Sequence, residues 1–188
     1  AQKTALFRWA SISAVLLAIF VVGHTVLVHQ QKAFVRVAWG MSPQGDLVKI
    51  DRPLHERWNT HSRVRVFGDP EKLSPAFGWS MSSKLPAGTT AQHLSVDIDT
   101  GALTVMTKFD GSTENLEYLR YDLVNLANAL RPNSDVLIVG AGAGRDILSA
   151  LYFEQNSVVA VEINSNVLHV VHDVFGDFSG HLDQHPKV

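Results

Sequence analysis

The stretch VLIVGAGAG at residues 136–144 decides the fold, because an apolar run without alternation leads directly into three closely spaced glycines. Such a run is typical of a parallel strand that is covered on both faces. Glycines directly after a strand let the backbone come close to a ligand, since side chains would block the approach, and they leave unpaired N–H groups facing it. The stretch therefore predicts a buried strand followed by a ligand-binding loop.

The pattern continues downstream as helix, strand and helix. Residues 145–154 place apolar side chains on one helical side, residues 158–161 repeat the apolar strand, and residues 165–174 form a second amphipathic helix. Strands that alternate with helices in this way indicate a doubly wound α/β sheet with right-handed crossovers.

An acidic residue, Glu162, ends the second predicted strand, 22 residues after Gly140. A carboxylate at this place can accept hydrogen bonds from both hydroxyls of a ribose. We therefore predict a nucleoside site with these candidate binding residues: Gly140, Ala141, Gly142, Gly144, Asp146 and Glu162. In the alternative interpretation, the glycines only allow a helix to pack closely on the sheet, and Glu162 is a solvated strand end.

The spacing of the glycines bears on the kind of nucleoside. The dinucleotide fingerprint Gly-x-Gly-x-x-Gly would need a third glycine where this chain has Arg145, and the third glycine stands at Gly144 instead. The loop therefore favours an adenosyl ligand without a pyrophosphate over NAD.

Five leucines at steps of three and four residues precede the decisive stretch. This spacing predicts one helix that starts with a cap at residues 110–113, ends before Pro132 and carries a single apolar stripe. The stripe consists of Leu116, Leu119, Leu123, Leu126 and Leu130.

The part before this helix, residues 32–110, has short β-like runs separated by turn residues, which predicts a small, mostly antiparallel β module. The predicted strands are residues 33–39, 46–50, 63–67, 93–98 and 102–109, with turns at 42–45 and 99–101. Residues 99–101 join two alternating runs and are the best hairpin candidate. Residues 69–90, with three prolines and two glycines, are predicted to be a surface loop.

Residues 9–28 form a run of 20 residues without Asp, Glu, Lys or Arg. A helix of that length can cross a hydrocarbon core of about 30 Å, so we predict a transmembrane helix that is in contact with membrane lipid. A signal peptide and a buried soluble helix are the alternatives. Basic residues continue after the run, and this favours a cytoplasmic location for the part that follows.

Composition excludes several classes of protein. The chain has 188 residues, a net charge of −2 and no cysteine. The net charge shows no excess of basic residues of the kind that binds nucleic acid. Without cysteine, the chain cannot form a disulfide scaffold or a cysteine metal site. The nine histidines do not stand at ligand spacing with carboxylates, so we predict no metal site.

Several motifs together resemble the bacterial membrane-fused spermidine-synthase-like proteins, which have the fold of S-adenosylmethionine-dependent methyltransferases. Ile138, two places before the first glycine, fits the aminopropyltransferases, which typically have an apolar residue there where methyltransferases have an acidic one. The resemblance covers most of the chain, and residues 9–28 match a last membrane span. The motifs are FDG at 109–111, LEYL at 116–119, the glycine loop at 140–146, VEIN at 161–164 and DFSG at 177–180.

The resemblance implies a membrane-anchored aminopropyltransferase-like enzyme of the inner membrane with cytoplasmic chemistry. Its co-substrate would be decarboxylated S-adenosylmethionine or S-adenosylmethionine. Its small-molecule partner would be a polyamine-like amine substrate. A methyltransferase acting on an unknown acceptor, and a non-catalytic membrane scaffold or ligand sensor with the same fold, are the alternative functions.

The chain departs from that group at two points. Spermidine synthases typically place an aspartate at the fourth position of the glycine loop to hold the aminopropyl end, and this chain has Ala143 there. Asp146, in the first turn of the following helix, is a possible substitute. The chain ends at residues 186–188, where the third strand would begin, whereas the catalytic aspartate of the group follows a later strand. We therefore expect the chain as given to lack the general base and to be inactive.

The sequence thus predicts an α/β protein in three parts. Residues 1–31 are the transmembrane helix and its flank, residues 32–110 the β-rich connector, and residues 111–188 the first half of an incomplete Rossmann-like, methyltransferase-type adenosyl-binding domain.

Overall fold

The computed structural model describes residues 2–41, 46–60, 62–99 and 101–188. The chain divides into two compact units, residues 1–52 and residues 53–188. It is a mixed α/β protein with an N-terminal apolar helix and antiparallel sheets. The predicted boundaries at residues 31 and 110 stay a prediction.

The first unit consists of one long helix and a short hairpin. Helix α1 spans Gln2–His29, and strands β1 (Trp39–Met41) and β2 (Leu47–Lys49) pair antiparallel. Among the described residues, α1 is the one helix that is long and apolar enough to cross a membrane, although a signal sequence would pass the same test. Residues 33–38, which were predicted to be a strand, form none, and the predicted turn at 42–45 lies outside the described residues.

The second unit begins with five antiparallel strands. Strand β6 is central and pairs with β4, β5 and β7, and β3 pairs with β4. The strands are β3 (His55–Trp58), β4 (Arg63–Phe67), β5 (Leu73–Pro75), β6 (Thr90–Ile98) and β7 (Ala102–Thr107). Ile98 lies opposite Ala102, which confirms the predicted hairpin, although Thr100 in its turn lies outside the described residues.

Two of these strands were not predicted. Strand β3 is rich in polar residues, and Glu56 accepts hydrogen bonds from the guanidinium of Arg63 on the neighbouring strand. Strand β5 lies in the predicted surface loop, at the edge of the sheet, where its final Pro75 needs no N–H for the ladder. In both strands cross-strand pairing, rather than hydrophobic alternation, determines the extended conformation.

The predicted leucine helix is broken, and this prediction was wrong. Residues Glu114–Tyr121 and Leu123–Asn125 are 3-10 helices, and only Leu126–Leu130 is an α-helix, α2. The break is at Asp122, which is extended and whose carboxylate accepts hydrogen bonds from the backbone N–H groups of Trp79 and Ser80. The first two leucines of the stripe are buried, and the last three are exposed.

The predicted strand–helix–strand–helix order is confirmed. Strand β8 (Asp135–Val139), helix α3 (Arg145–Tyr152) and strand β9 (Ser157–Val161) are followed by helix α4 (Ser165–His169), which continues as one π-helical stretch over Val170–Val174. A short helix, α5, spans Gly176–Ser179. Strands β8 and β9 are parallel, with Ile138 opposite Ala160.

The β8–β9 sheet is covered on one face, so the prediction of two covered faces was wrong. Ile138 and Val158 are buried in a cluster with Ile147 and Leu148 of α3. The opposite face stays exposed among the described residues, because α4 packs on the β module through Val167. The exposed apolar side chains of that face are Leu137, Val139, Val159 and Val161.

Candidate functional site

The glycine loop connects β8 to α3 and has the backbone geometry that the sequence predicts. Gly140, Gly142 and Gly144 have φ angles of 76°, 54° and 86°, which only glycine adopts without strain. At Gly144 a Cβ atom would also lie 2.7 Å from Leu182 Cδ1. The loop therefore needs glycine for its conformation and, at Gly144, for a close approach.

Four of the five N–H groups of residues 140–144 are engaged within the chain, contrary to the prediction that they are unpaired. Gly140 N–H and Ala141 N–H both donate to the Val161 carbonyl oxygen, at 2.7 and 3.1 Å, and Gly144 N–H donates to the Ala141 carbonyl oxygen at 3.0 Å. The loop is thus tied to the end of β9. The geometry of the loop therefore mainly allows a ligand to come close to the backbone.

Glu162 stands at the carboxyl end of β9 and faces the loop. Its Oε2 accepts a hydrogen bond from Gly142 N–H at 2.9 Å, and its Oε1 accepts one from Asn164 N–H at 2.8 Å. Each carboxylate oxygen has a second lone pair, so Glu162 can still accept two hydroxyl groups. The structure therefore places the predicted acid where it fixes the loop and can bind a ligand.

A cavity of about 330 Å³ is lined in part by the loop and Glu162. Its walls are mostly apolar, and its ionisable groups include Glu162, His172 and Asp183. Apolar walls with a few polar groups are typical of small-molecule sites. The apolar part of the wall includes Ile147, Val158, Leu168, Val171, Leu182 and Val188.

The cavity brings together four of the six predicted binding residues. Ala141, Gly142, Gly144 and Glu162 line it, whereas Gly140 and Asp146 are not part of its wall. The side chain of Asp146 is 57% exposed, and its carboxylate lies 3.7 Å from Arg145 Nη1. Asp146 therefore does not take the place of the aspartate that the resemblance implies.

Ala143 points away from the cavity. It is 1% exposed and belongs to an apolar cluster of the β module and α4 that includes Val64, Met106 and Val167. A carboxylate at this position would lie among apolar side chains. The expectation that an aspartate here would hold the aminopropyl end of a ligand therefore does not fit the structure.

Arg145, the residue in place of the third fingerprint glycine, has a structural role. Its guanidinium is buried and donates to the carboxylate of Asp122, which is buried as well. This ion pair joins the start of α3 to the break between the two 3-10 helices. No local sequence pattern predicts the pair, because residues 122 and 145 are far apart in the chain.

Two histidines form local pairs with aspartates. His169 Nδ1 lies 2.7 Å from Asp173 Oδ2, and His181 Nε2 lies 3.0 Å from Asp177 Oδ1. Burial, followed by the charges of His169 and Arg57, lowers the pKa of His55 below its ordinary value. No group of three or more potential metal ligands occurs in the part of the chain that the structure describes.

Sequence reasoning missed Asn164, which is buried next to Glu162 and caps α4 by accepting a hydrogen bond from Asn166 N–H. An asparagine before a helical pattern is a known cap signal and could have identified this role. Its contacts with Asn59 and Ser62 had no such signal, because those residues belong to the distant β3–β4 turn.

Comparison with known proteins gives a similarity in sequence and a similarity in structure. No protein-family profile matches the chain. The chain is 29% identical to a sialidase from Clostridium perfringens over 66 residues, which are 35% of this chain and 17% of the sialidase. A solved spermidine synthase, in complex with the transition-state analogue AdoDATO, superposes with a TM-score of 0.45 and 17% identity, over 80% of this chain and 44% of that chain. The chain thus spans less than half the length of either protein.

Proposed function

We propose that the chain binds an adenosyl sulfonium ligand, decarboxylated S-adenosylmethionine or S-adenosylmethionine, in the cavity that the glycine loop and Glu162 line. The observation that carries the proposal is the carboxylate of Glu162, which is held by Gly142 N–H at the wall of a mostly apolar cavity. Such a carboxylate can accept hydrogen bonds from ribose hydroxyls, and an adenine ring suits apolar walls.

In this proposal the protein is an aminopropyltransferase-like enzyme with an amine as its second substrate. The amine nitrogen attacks the aminopropyl carbon bonded to the sulfonium, and the C–S bond breaks. The electron pair of that bond goes to sulfur, which leaves neutral 5′-methylthioadenosine, and the amine loses one proton to water or a carboxylate base. Glu162 and the glycine loop support nucleoside binding, and the catalytic base stays unassigned.

A ligand sensor without group transfer is the second candidate function. The orientation of Ala143 favours it, because this position turns into the apolar cluster and offers no charge to the ligand. Both candidate functions use the nucleoside site. They differ in one observable: only the enzyme consumes bound decarboxylated S-adenosylmethionine when an amine is added.

Glu162→Gln tests the nucleoside site. We expect the full chain in detergent micelles to bind 5′-methylthioadenosine about tenfold more weakly after this change, a loss of about 1.4 kcal/mol, since charge-assisted hydrogen bonds are stronger than neutral ones. Isothermal titration calorimetry measures both affinities. Asp146→Asn is the matched control, because this carboxylate is exposed and lies outside the cavity wall. Equal binding by wild type and Glu162→Gln would remove the ribose assignment.

We further propose that α1 anchors the protein in a membrane. Apolar side chains cover the helix all round and are exposed, which suits a lipid environment rather than a packed core. The amine substrate and the membrane lipid are the partners in this proposal, and the second unit would lie on the cytoplasmic side of an inner membrane.

Leu17→Arg tests the membrane anchor. A cation in the middle of a membrane-spanning helix costs about 2.5–3.5 kcal/mol of insertion free energy, so we expect binding of the full chain to lipid vesicles to fall by about two orders of magnitude. Leu123→Arg is the matched control, because Leu17 and Leu123 are both 63% exposed and Leu123 lies outside the helix. Vesicle flotation measures the bound fraction, and equal flotation of the two variants would contradict the anchor.

A further inference from the structure

A closed ring of three hydrogen-bonded side chains lies beside Glu162. Asn59 Nδ2 donates to Asn164 Oδ1 at 2.9 Å, Asn164 Nδ2 donates to Ser62 Oγ at 2.9 Å, and Ser62 Oγ donates to Asn59 Oδ1 at 3.0 Å. Asn59 and Ser62 belong to the turn between β3 and β4, whereas Asn164 follows β9. The ring thus connects the β module with the end of the strand that carries the predicted ribose acid.

Backbone donors fix the direction of this ring. Asn59 Oδ1 also accepts a hydrogen bond from Ser62 N–H at 2.8 Å, and Asn164 Oδ1 accepts one from Asn166 N–H at 3.1 Å. Because a backbone N–H can only donate, both side-chain atoms must be oxygens, and each amide nitrogen must point to its neighbour in the ring. The ring therefore has a single arrangement of its donors and acceptors.

Glu162 is held from two sides. Gly142 N–H of the glycine loop binds Oε2, and the backbone N–H of Asn164 binds Oε1. Asn164 is buried, and among the described residues its side chain bonds to the ring and to the start of α4. The position of the Asn164 N–H, and with it the orientation of the carboxylate, therefore depends on Asn59 and Ser62.

We propose that the Asn59–Ser62–Asn164 ring positions Glu162 and that the β3–β4 turn thereby determines ribose recognition. This inference rests on the proposed nucleoside site. Asn59, Ser62 and Asn164 are positioning residues, since they act on the ligand through the carboxylate. The β module is then part of the nucleoside site, although its turn does not line the cavity.

The experiment compares two probes, 5′-methylthioadenosine and its 2′,3′-dideoxy analogue, on the full chain in detergent micelles. We expect wild type to prefer the ribose form by about tenfold, because only that form can donate to Glu162. In Asn59→Ala the preference falls to about threefold or less, while the affinity for the dideoxy analogue stays unchanged. Asn59→Ala is chosen because the backbone hydrogen bond of Asn59 to Ser62 does not need its side chain.

Asn166→Ala is the matched control. Asn166 is also a buried asparagine at the start of α4, and its contact with the ring is through its backbone N–H, so its side chain can be removed without opening the ring. The control therefore keeps the ribose preference of wild type. Equal weakening of both probes by Asn59→Ala would indicate a merely structural role and overturn the proposal, as would an unchanged preference.

Amide hydrogen exchange without ligand separates this inference from the proposed function. If the ring positions Glu162, the Gly142 N–H loses its partner more often in Asn59→Ala and exchanges about tenfold faster than in wild type and Asn166→Ala. Unchanged exchange at Gly142 overturns the ring proposal. Wild type that shows no ribose preference, together with faster exchange in Asn59→Ala, removes the nucleoside assignment and keeps the positioning role.

Discussion

Ala143→Asp lowers the free energy of unfolding by about 4 kcal/mol at pH 7. The side chain of Ala143 is 1% exposed and belongs to an apolar cluster that includes Val64, Val66, Met106 and Val167. Burial among apolar side chains raises the pKa of a carboxyl group, and a rise of about 3 units corresponds to that free energy. Chemical denaturation of the full chain in detergent micelles, followed by tryptophan fluorescence, measures the change.

The pH dependence of stability separates the effect of the introduced charge from the effect of the larger side chain in this variant. The folded-state pKa of the introduced carboxyl lies above its unfolded value, so the penalty is largest at pH 7 and shrinks as the pH falls toward about 4. Ala127→Asp, at an exposed position of α2, is the control and changes stability by about 0.5 kcal/mol or less. If Ala143→Asp is as stable as wild type and instead improves binding of decarboxylated S-adenosylmethionine, Ala143 faces the ligand and its placement is wrong.

The parts of the fold that the sequence predicts well depend on local patterns. The run at residues 136–139, the three glycines after it and the second apolar run give β8, the loop and β9 directly. The position of Glu162 at the end of β9 follows from the same alternation, which is why the acid and the loop meet as predicted. The hairpin of β6 and β7 is also local, since adjacent alternating runs pair with each other.

The leucine stripe shows where local patterns fail. Spacing alone favours a continuous helix, but the carboxylate of Asp122 accepts hydrogen bonds from Trp79, Ser80 and Arg145, and these partners hold residue 122 in an extended conformation. Tertiary hydrogen bonds therefore override helical periodicity. No feature of the sequence near Asp122 predicts these partners, because they come from two other segments of the chain.

The parts of the site that the sequence does not predict also depend on contacts between distant segments. The direction of Ala143 depends on how the loop packs against the β module, and the ring of Asn59, Ser62 and Asn164 depends on a contact between residues 105 positions apart. Glycine spacing predicts the backbone of a loop, whereas the neighbours of each side chain follow from the packing of whole layers. The sequence therefore predicts the candidate binding residues, but it does not predict the residues that position Glu162.

Breaking the buried ion pair of Arg145 and Asp122 has the second large effect that we expect. The two side chains are 3% and 0% exposed. Removing one partner of a buried pair costs about 3–5 kcal/mol, because the other charge stays buried without compensation. Asp122→Asn should cost more than Arg145→Met, since the carboxylate left by Arg145→Met keeps the N–H groups of Trp79 and Ser80 as donors.

A double-mutant cycle tests this asymmetry and its cause. We expect Asp122→Asn combined with Arg145→Met to be more stable, by about 2 kcal/mol, than the sum of the single effects predicts, because no charge is left buried. Arg120→Met is the control, since the ion pair of Arg120 with Glu117 is exposed and contributes about 0.5 kcal/mol or less. Denaturant unfolding of the four variants and wild type gives the coupling free energy. A coupling near zero would show that Arg145 is held at the start of α3 by packing alone, and that the break at Asp122 depends on its backbone donors rather than on the guanidinium.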